Sequence, residues 1–199
     1  MKNNYEVQLI NLCKSYDGHK VLSNLNMNIE ENKITVITGP SGCGKTTLLK
    51  IISGVEREDS GQVLLKDNSI SYIFQEDRLL PHLTVYQNIA FVLKSTMNKE
   101  EMDFLINKYL DLVKLLEHRD KFPRQLSGGM KRRVSIARAF AYKSRLLLMD
   151  EPFKGLDNKL KKEIIEEFLH IHNTDKRTVI LVTHDMKEAE VLGDIIYTL

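Results

Sequence analysis

Cysteine is scarce in this chain: Cys13 and Cys43 are its only two. Their positions give no metal-type spacing and no disulfide framework, so they read as reduced thiols of a cytosolic protein. An excess of one charge is also missing. The 29 Lys and Arg residues stand against 27 Asp and Glu, for a net charge of +2. Bulk electrostatics therefore give no reason to expect a nucleic-acid partner. No apolar run approaches the ~20 residues that a membrane-spanning helix needs. Met1 to Glu6 has no apolar core of the secretory kind. The expectation is a soluble chain that works at a membrane only through another polypeptide. Low-complexity tracts and internal repeats are absent as well. What remains is 199 residues with 42% hydrophobic content, enough for one domain with a sizeable core and room for an inserted subdomain.

Residues 39–46 read Gly-Pro-Ser-Gly-Cys-Gly-Lys-Thr and satisfy the phosphate-binding pattern G-x-x-x-x-G-K-[ST]. The flanks suit it. Ile34 to Thr38 is β-branched throughout and predicts a buried strand, and Thr47 to Ser53 predicts a short helix closed by Gly54. Gly39, Gly42 and Gly44 allow a tight turn and leave no Cβ between backbone amides and a phosphate. The loop Gly39, Pro40, Ser41, Gly42, Cys43, Gly44, Lys45, Thr46 and Thr47 then forms an anion-binding concavity at a helix N-terminus. Lys45 can reach the β- and γ-phosphates of a nucleotide, and the Thr46 hydroxyl can ligate a bridging Mg²⁺. Cys43 is open to thiol reagents, although a tolerated small residue is the simpler reading.

Strands are expected at Val7 to Leu12, Leu25 to Ile29, Gln62 to Leu65 and Ile70 to Phe74, with Asp17-Gly18 in the first turn. Helices follow at Val85 to Leu93, at Lys99 to Glu117 and from Ser127 to about Tyr142. In the second of these, Met102, Leu105, Ile106, Tyr109, Leu112, Val113 and Leu116 are spaced to face a core. Leu146 to Met149, Thr178 to Thr183 and Ile195 to Thr198 predict further strands, and Leu160 to Ile171 an amphipathic helix. Apolar strands alternating with helices imply an α/β fold with a mainly parallel core sheet. An antiparallel β region precedes it, and residues 76–142 form an inserted helical subdomain in a single domain spanning 1–199.

Asp150 and Glu151 follow the apolar Leu146 to Met149 run. Ligands of open α/β sheets sit beyond the carboxyl ends of the strands. Asp150 there can hold Mg²⁺, and Glu151 can orient or deprotonate an attacking water. A divalent cation would offset the repulsion of the paired carboxylates.

Leu126-Ser127-Gly128-Gly129-Met130, opening a helix that continues Lys131-Arg132-Arg133-Val134-Ser135-Ile136-Ala137-Arg138-Ala139, resembles the signature motif of the ATP-binding cassette (ABC) family of transport ATPases. Met130 replaces the usual Gln. The basic triplet by itself reads as a solvated helix face. The resemblance, with the phosphate loop, implies a P-loop NTPase using ATP and Mg²⁺. It implies that His184 contacts the γ-phosphate, that Gln75 reaches the Mg²⁺ and the water, and that Tyr16 stacks on adenine. It further implies a head-to-tail homodimer, in which Ser127, Gly128 and Gly129 of one protomer face the nucleotide of the other and Asp157 lies in a loop crossing to the partner. His19, His82, His118, His170 and His172 carry no chemistry in this reading.

The implied partners are transmembrane permease subunits and an extracytoplasmic substrate-binding protein, with no nucleic acid. The implied location is the cytoplasm, peripheral on the inner face of the cell membrane. Phe74 to Pro81 and the LSGGM form are similar to the nitrate, sulfonate and taurine importer branch. The alternatives are a soluble cassette acting on ribosomes or DNA, or a nucleotide-binding module without turnover. The chain ends at Leu199, soon after His184; a minimal cassette and a shortened one both fit.

Overall fold

The computed structural model describes residues 4–93, 97–174 and 176–199. It divides into two compact units, Met1–Tyr72 with Ser144–Glu151 and Asp175–Leu199, and Ile73–Lys143 with Pro152–Thr174.

The first unit contains an antiparallel sheet of β1 (Tyr5–Tyr16), β2 (His19–Glu30) and β4 (Ser60–Leu65) in the order β2-β1-β4. Asp17 and Gly18, both at positive φ (48° and 81°), make the two-residue turn between β1 and β2. Such a turn matches the natural twist of two paired strands. These strands are longer than the sequence predicts. Asn11 and Asn24 take left-handed φ values of 50° and 52° where the ladder shifts register. The irregularities interrupt the alternation of apolar residues without ending the strands.

The second sheet has the order β5-β6-β7-β3-β8. Its members are β3 (Ile34–Thr38), β5 (Ile70–Ile73), β6 (Leu146–Asp150), β7 (Thr178–Val182) and β8 (Ile195–Thr198). The β3–β7, β3–β8 and β6–β7 pairs are parallel. Every residue of β3, β6 and β7 is buried, which explains their unbroken apolar and β-branched runs. Helix α1 (Lys45–Ile52) supplies Leu48, Leu49, Ile51 and Ile52 to a core shared with Val7, Leu9, Ile29, Leu148 and Ile180. Helix α6 (Met186–Leu192) follows β7, capped by the Asp185 side chain accepting from the Lys187 amide.

The second unit is helical: α2 (Val85–Leu93), α3 (Lys99–Leu112), α4 (Gly128–Ala141) and α5 (Asn158–Thr174). Helix α4 packs on both α2 and α3. Phe140 of α4 stacks on Phe168 of α5 at 5.4 Å between ring centroids. An Asn98 capping box starts α3. The expected helix through Glu117 stops at Leu112, because Lys114 turns left-handed (φ 55°) and a short 3₁₀ turn, Leu116–His118, follows. The turn moves Leu116 off the apolar face: it is 39% exposed, while Val113 and Leu115 are buried.

Glu6 on β1 is buried beside the Arg145 guanidinium, 3.7 Å away. Burial raises its carboxyl above the ordinary carboxylate range, with Arg145 pulling it back. The folded state therefore holds this proton more tightly than the unfolded chain. The associated stability is complete below the ordinary Glu value and is lost as pH rises through the raised one. Glu6→Gln should accordingly gain thermal stability relative to the parent over the pH range that rises from the ordinary Glu value of about 4.3. Parallel unfolding curves measured across that range would contradict this.

Candidate active site

The phosphate loop begins where β3 ends. Gly39 has φ 148°, and a Cβ there would lie 2.8 Å from both Cys43 Sγ and the Leu199 carbonyl oxygen. Gly44, the N-cap of α1, has φ 104°, and a Cβ would lie 2.9 Å from Val21 and Leu22 of β2. Both positions therefore need glycine, for backbone angle and for space. The first turn of α1 contains no acidic residue, so no carboxylate of that turn competes for the positive end of the helix. The helix starts at Lys45, two residues earlier than the sequence suggests. The Lys45 ammonium is folded over the loop and donates to the carbonyls of Gly39 (2.8 Å) and Pro40 (2.9 Å).

The register of the parallel sheet sets Ile37, Val182 and Asp150 side by side. The chain leaving β3, β7 and β6 thus emerges at one edge. There the Thr46 hydroxyl donates to Asp150 Oδ1 at 3.1 Å, and Asp150 is 1% exposed. Two hard oxygens so placed are the donor type that Mg²⁺ takes, with phosphate oxygens and water completing its shell. Thr46 and Asp150 therefore fit the ion.

Glu151 is at φ 48°, left-handed for a non-glycine residue, a conformation that costs on the order of 1–3 kcal/mol. Its amide still donates to the Val182 carbonyl at 3.0 Å, so β6 keeps its ladder while the side chain turns away. The His184 Nδ1–H donates to both Glu151 carboxylate oxygens, at 2.8 and 2.9 Å. That contact assigns the proton to Nδ1 and points the other ring nitrogen away from Glu151. Behind them the Thr183 hydroxyl donates to the buried Glu188 carboxylate at 2.7 Å and accepts from the Asp185 amide at 3.1 Å. The sequence pattern reveals neither the Glu151 backbone turn nor this support, since spacing alone does not show which hydroxyl, carboxylate or carbonyl near His184 each group will meet.

Tyr16 ends β1 and is 41% exposed. The β1–β2 pairing sets Lys14 opposite Leu22, which brings this end of the hairpin beside Gly44. The Lys14 ammonium lies 5.2 Å from the Tyr16 ring centroid and is held by Glu56 (3.1 Å) and Asp59 (3.2 Å). The hydrogen bond to Glu56 raises the Lys14 ammonium, and the Ser15 amide lowers the Asp59 carboxyl.

The other expected residues belong to the helical unit. Gln75 is exposed. Ser127 caps α4 by accepting from the Met130 amide at 3.3 Å, and Ser127 and Gly128 are both exposed. A Cβ on Gly129 would lie 3.6 Å from the Gly155 carbonyl, so the signature turn and the loop carrying Asp157 are neighbours. The Asp157 carboxylate accepts from the Leu160 amide at 3.0 Å, starting α5. The basic triplet is not the solvated face expected. Arg132 is buried, and Arg133 donates to the Val113 and Lys114 carbonyls at the end of α3.

A family model described as ABC transporter matches residues 22–154. The chain belongs to the ABC transporter family. A spermidine/putrescine import ATP-binding protein, PotA, of Thermotoga maritima is 44% identical over 95% of this chain and 54% of its own length. A sulfate/thiosulfate import ATP-binding protein, CysA, of Pseudomonas aeruginosa is 34% identical over 94% of this chain and 62% of its own. The chain spans about half the length of the curated relatives it matches. Among solved structures, the dimeric bacterial ABC transporter cassette MJ0796 superposes with a TM-score of 0.89 at 31% identity, covering 97% of this chain and 94% of that one. A dimeric post-hydrolysis state of the same cassette, bound to ADP and Pi, gives 0.87 at 32% identity over the same shares. The expected α/β cassette fold is thus the observed one. The two importers just described are for spermidine/putrescine and sulfate/thiosulfate, and neither belongs by name to the nitrate, sulfonate and taurine branch.

Proposed function

We propose that this cassette binds and hydrolyses ATP as the energy-supplying part of a bacterial ABC importer. The observation that carries the reading is the convergence of Lys45, the Thr46–Asp150 pair and the Glu151–His184 pair at the ends of three adjacent parallel strands. Phosphoryl transfer needs placement and charge stabilisation more than covalent chemistry. Lys45, held over the loop, is placed for the β- and γ-phosphates. Thr46 and Asp150 would hold Mg²⁺, with Gln75 the further ligand that the family resemblance implies, and the ion would neutralise charge on the phosphates. Glu151 takes the proton of the attacking water while the His184 Nδ1–H fixes its carboxylate; the contact of His184 with the γ-phosphate that the family resemblance implies requires a proton on the second ring nitrogen as well. Tyr16 stacks on adenine.

Gly39 to Thr47 embrace the phosphates of one protomer, and Ser127, Gly128 and Gly129 of a second copy close over them, with Asp157 in the crossing loop. The exposure of Ser127 and Gly128 supports such a head-to-tail homodimer. Residues 76–142 act as the inserted helical part of one cassette. Separate permease subunits and an extracytoplasmic binding protein complete the transporter, and the cassette works on the inner face of the cell membrane. The PotA likeness favours a polyamine cargo over the nitrate, sulfonate and taurine group.

Affinity purification from the native membrane, with phosphate release measured on the product, tests this. Recovery of a multi-span membrane protein with Mg²⁺-dependent ATP turnover is expected. Recovery with ribosomes, or no turnover in the recovered complex, would contradict it.

A further inference from the structure

Helix α4 has polar side chains at Arg132, Ser135 and Arg138, a spacing that aligns them along one helix face. All three are directed at one stretch of backbone, residues 74–78. Arg132 Nη1 donates to the Phe74 carbonyl and, at 3.4 Å, to that of Gln75. The Ser135 hydroxyl donates to the Asp77 carbonyl. Arg138 donates to the carbonyls of Arg78 (3.0 Å) and Asp77 (3.3 Å). Arg132 also reaches the chain that follows Glu151, with its Nε–H donating to the Pro152 carbonyl at 2.9 Å. The Asp77 carboxylate stands 3.8 Å from the same guanidinium.

The loop is tight on its own account. Arg78 has a left-handed φ of 44°, and its guanidinium lies 3.9 Å from the Phe74 ring centroid. Arg132 is only 4% exposed. A guanidinium withdrawn from water costs several kcal/mol unless its donors are satisfied. Here the donors are spent on the loop carrying Gln75 and on Pro152. A basic residue serving only solubility would have stayed in water, as the sequence pattern suggested.

We propose that the Arg132–Ser135–Arg138 stripe is the positioning device for Gln75. It makes the signature helix, the 74–78 loop and the Pro152 turn one mechanical piece. A displacement of the Ser127–Gly129 turn is then delivered to Gln75 and to the residue after Glu151. Arg132 is a positioning residue: it acts by holding backbone. The inference rests on the proposed ATPase reading, in which Gln75 serves the metal and the water.

Two measurements separate the clamp from that reading. Hydrogen exchange of residues 74–78 reports the clamp whether or not ATP is turned over. Arg132→Gln should speed exchange there by roughly tenfold or more while the centre of α4 stays protected. A kinetic cycle reports the positioning. Arg132→Gln should lower kcat for ATP by roughly ten- to a hundredfold with KM changed by less than about twofold. The double variant with Gln75→Ala should be no slower than Gln75→Ala alone, and Arg132→Lys should restore part of the loss. Should Arg132→Gln fail to fold, Arg138→Met takes its place in both measurements. Unchanged exchange at 74–78, or losses that multiply in the double variant, would overturn the proposal. A parent protein without phosphate release would instead defeat the ATPase reading and leave the exchange result to decide the clamp.

Discussion

Glu151→Gln should stop ATP turnover and leave nucleotide bound. The side chains are of nearly equal size, and the Gln carbonyl can still accept from His184 Nδ1–H, which now meets both carboxylate oxygens. The left-handed backbone at φ 48° is no harder for Gln than for Glu. What disappears is the proton acceptor and its charge. Loss of a positioned general base costs on the order of 10²–10⁴ in rate. Removing the negative charge beside the γ-phosphate also removes a repulsion, so the closed ATP-bound pair of chains should accumulate. Phosphate-release kinetics should show turnover falling by that amount, and light scattering with Mg·ATP should show a dimer. A variant that remains monomeric with ATP, or that keeps more than about a tenth of the parent rate, would contradict the role assigned to Glu151.

The second large effect concerns Lys45. Lys45 is 8% exposed, and its ammonium donates to two loop carbonyls, so the loop is shaped around a cation. Charge-assisted hydrogen bonds to phosphate contribute about 1.5–3 kcal/mol each. Lys45→Ala should therefore weaken ATP binding by roughly ten- to a few hundredfold. Titration calorimetry measures this directly, with thermal unfolding to confirm that the variant is folded. An affinity within about twofold of the parent would remove the phosphate loop from the site.

Much of this architecture could be read from residue order. The 39–46 loop, its strand and its helix were legible because the motif fixes both chemistry and context. Strands β6 and β7 announced themselves as apolar runs, and with them the placement of Asp150, Glu151 and His184 at one sheet edge. Less visible were features that depend on contacts across the fold. The extent of β1 and β2 was hidden by the left-handed Asn11 and Asn24. The end of α3 was set by the Lys114 turn rather than by the spacing of apolar residues. Arg132 looked like a solvated charge because the carbonyls that claim it come from residues 74, 75 and 152. Substrate class is the least legible of all, since none of the motifs read in the chain is a cargo site.

In the proposed dimer each ATP is enclosed by the phosphate loop of one chain and the signature turn of another. Mixing two inactive variants decides this: Lys45→Ala, with its signature intact, and Ser127→Arg, with its phosphate loop intact. Each alone should release almost no phosphate. The mixture should recover about a quarter of the parent rate, because random pairing makes half of the dimers mixed and gives each mixed dimer one complete site. A mixture as inactive as its components would mean that both elements must come from the same chain, and the two-chain enclosure would be wrong.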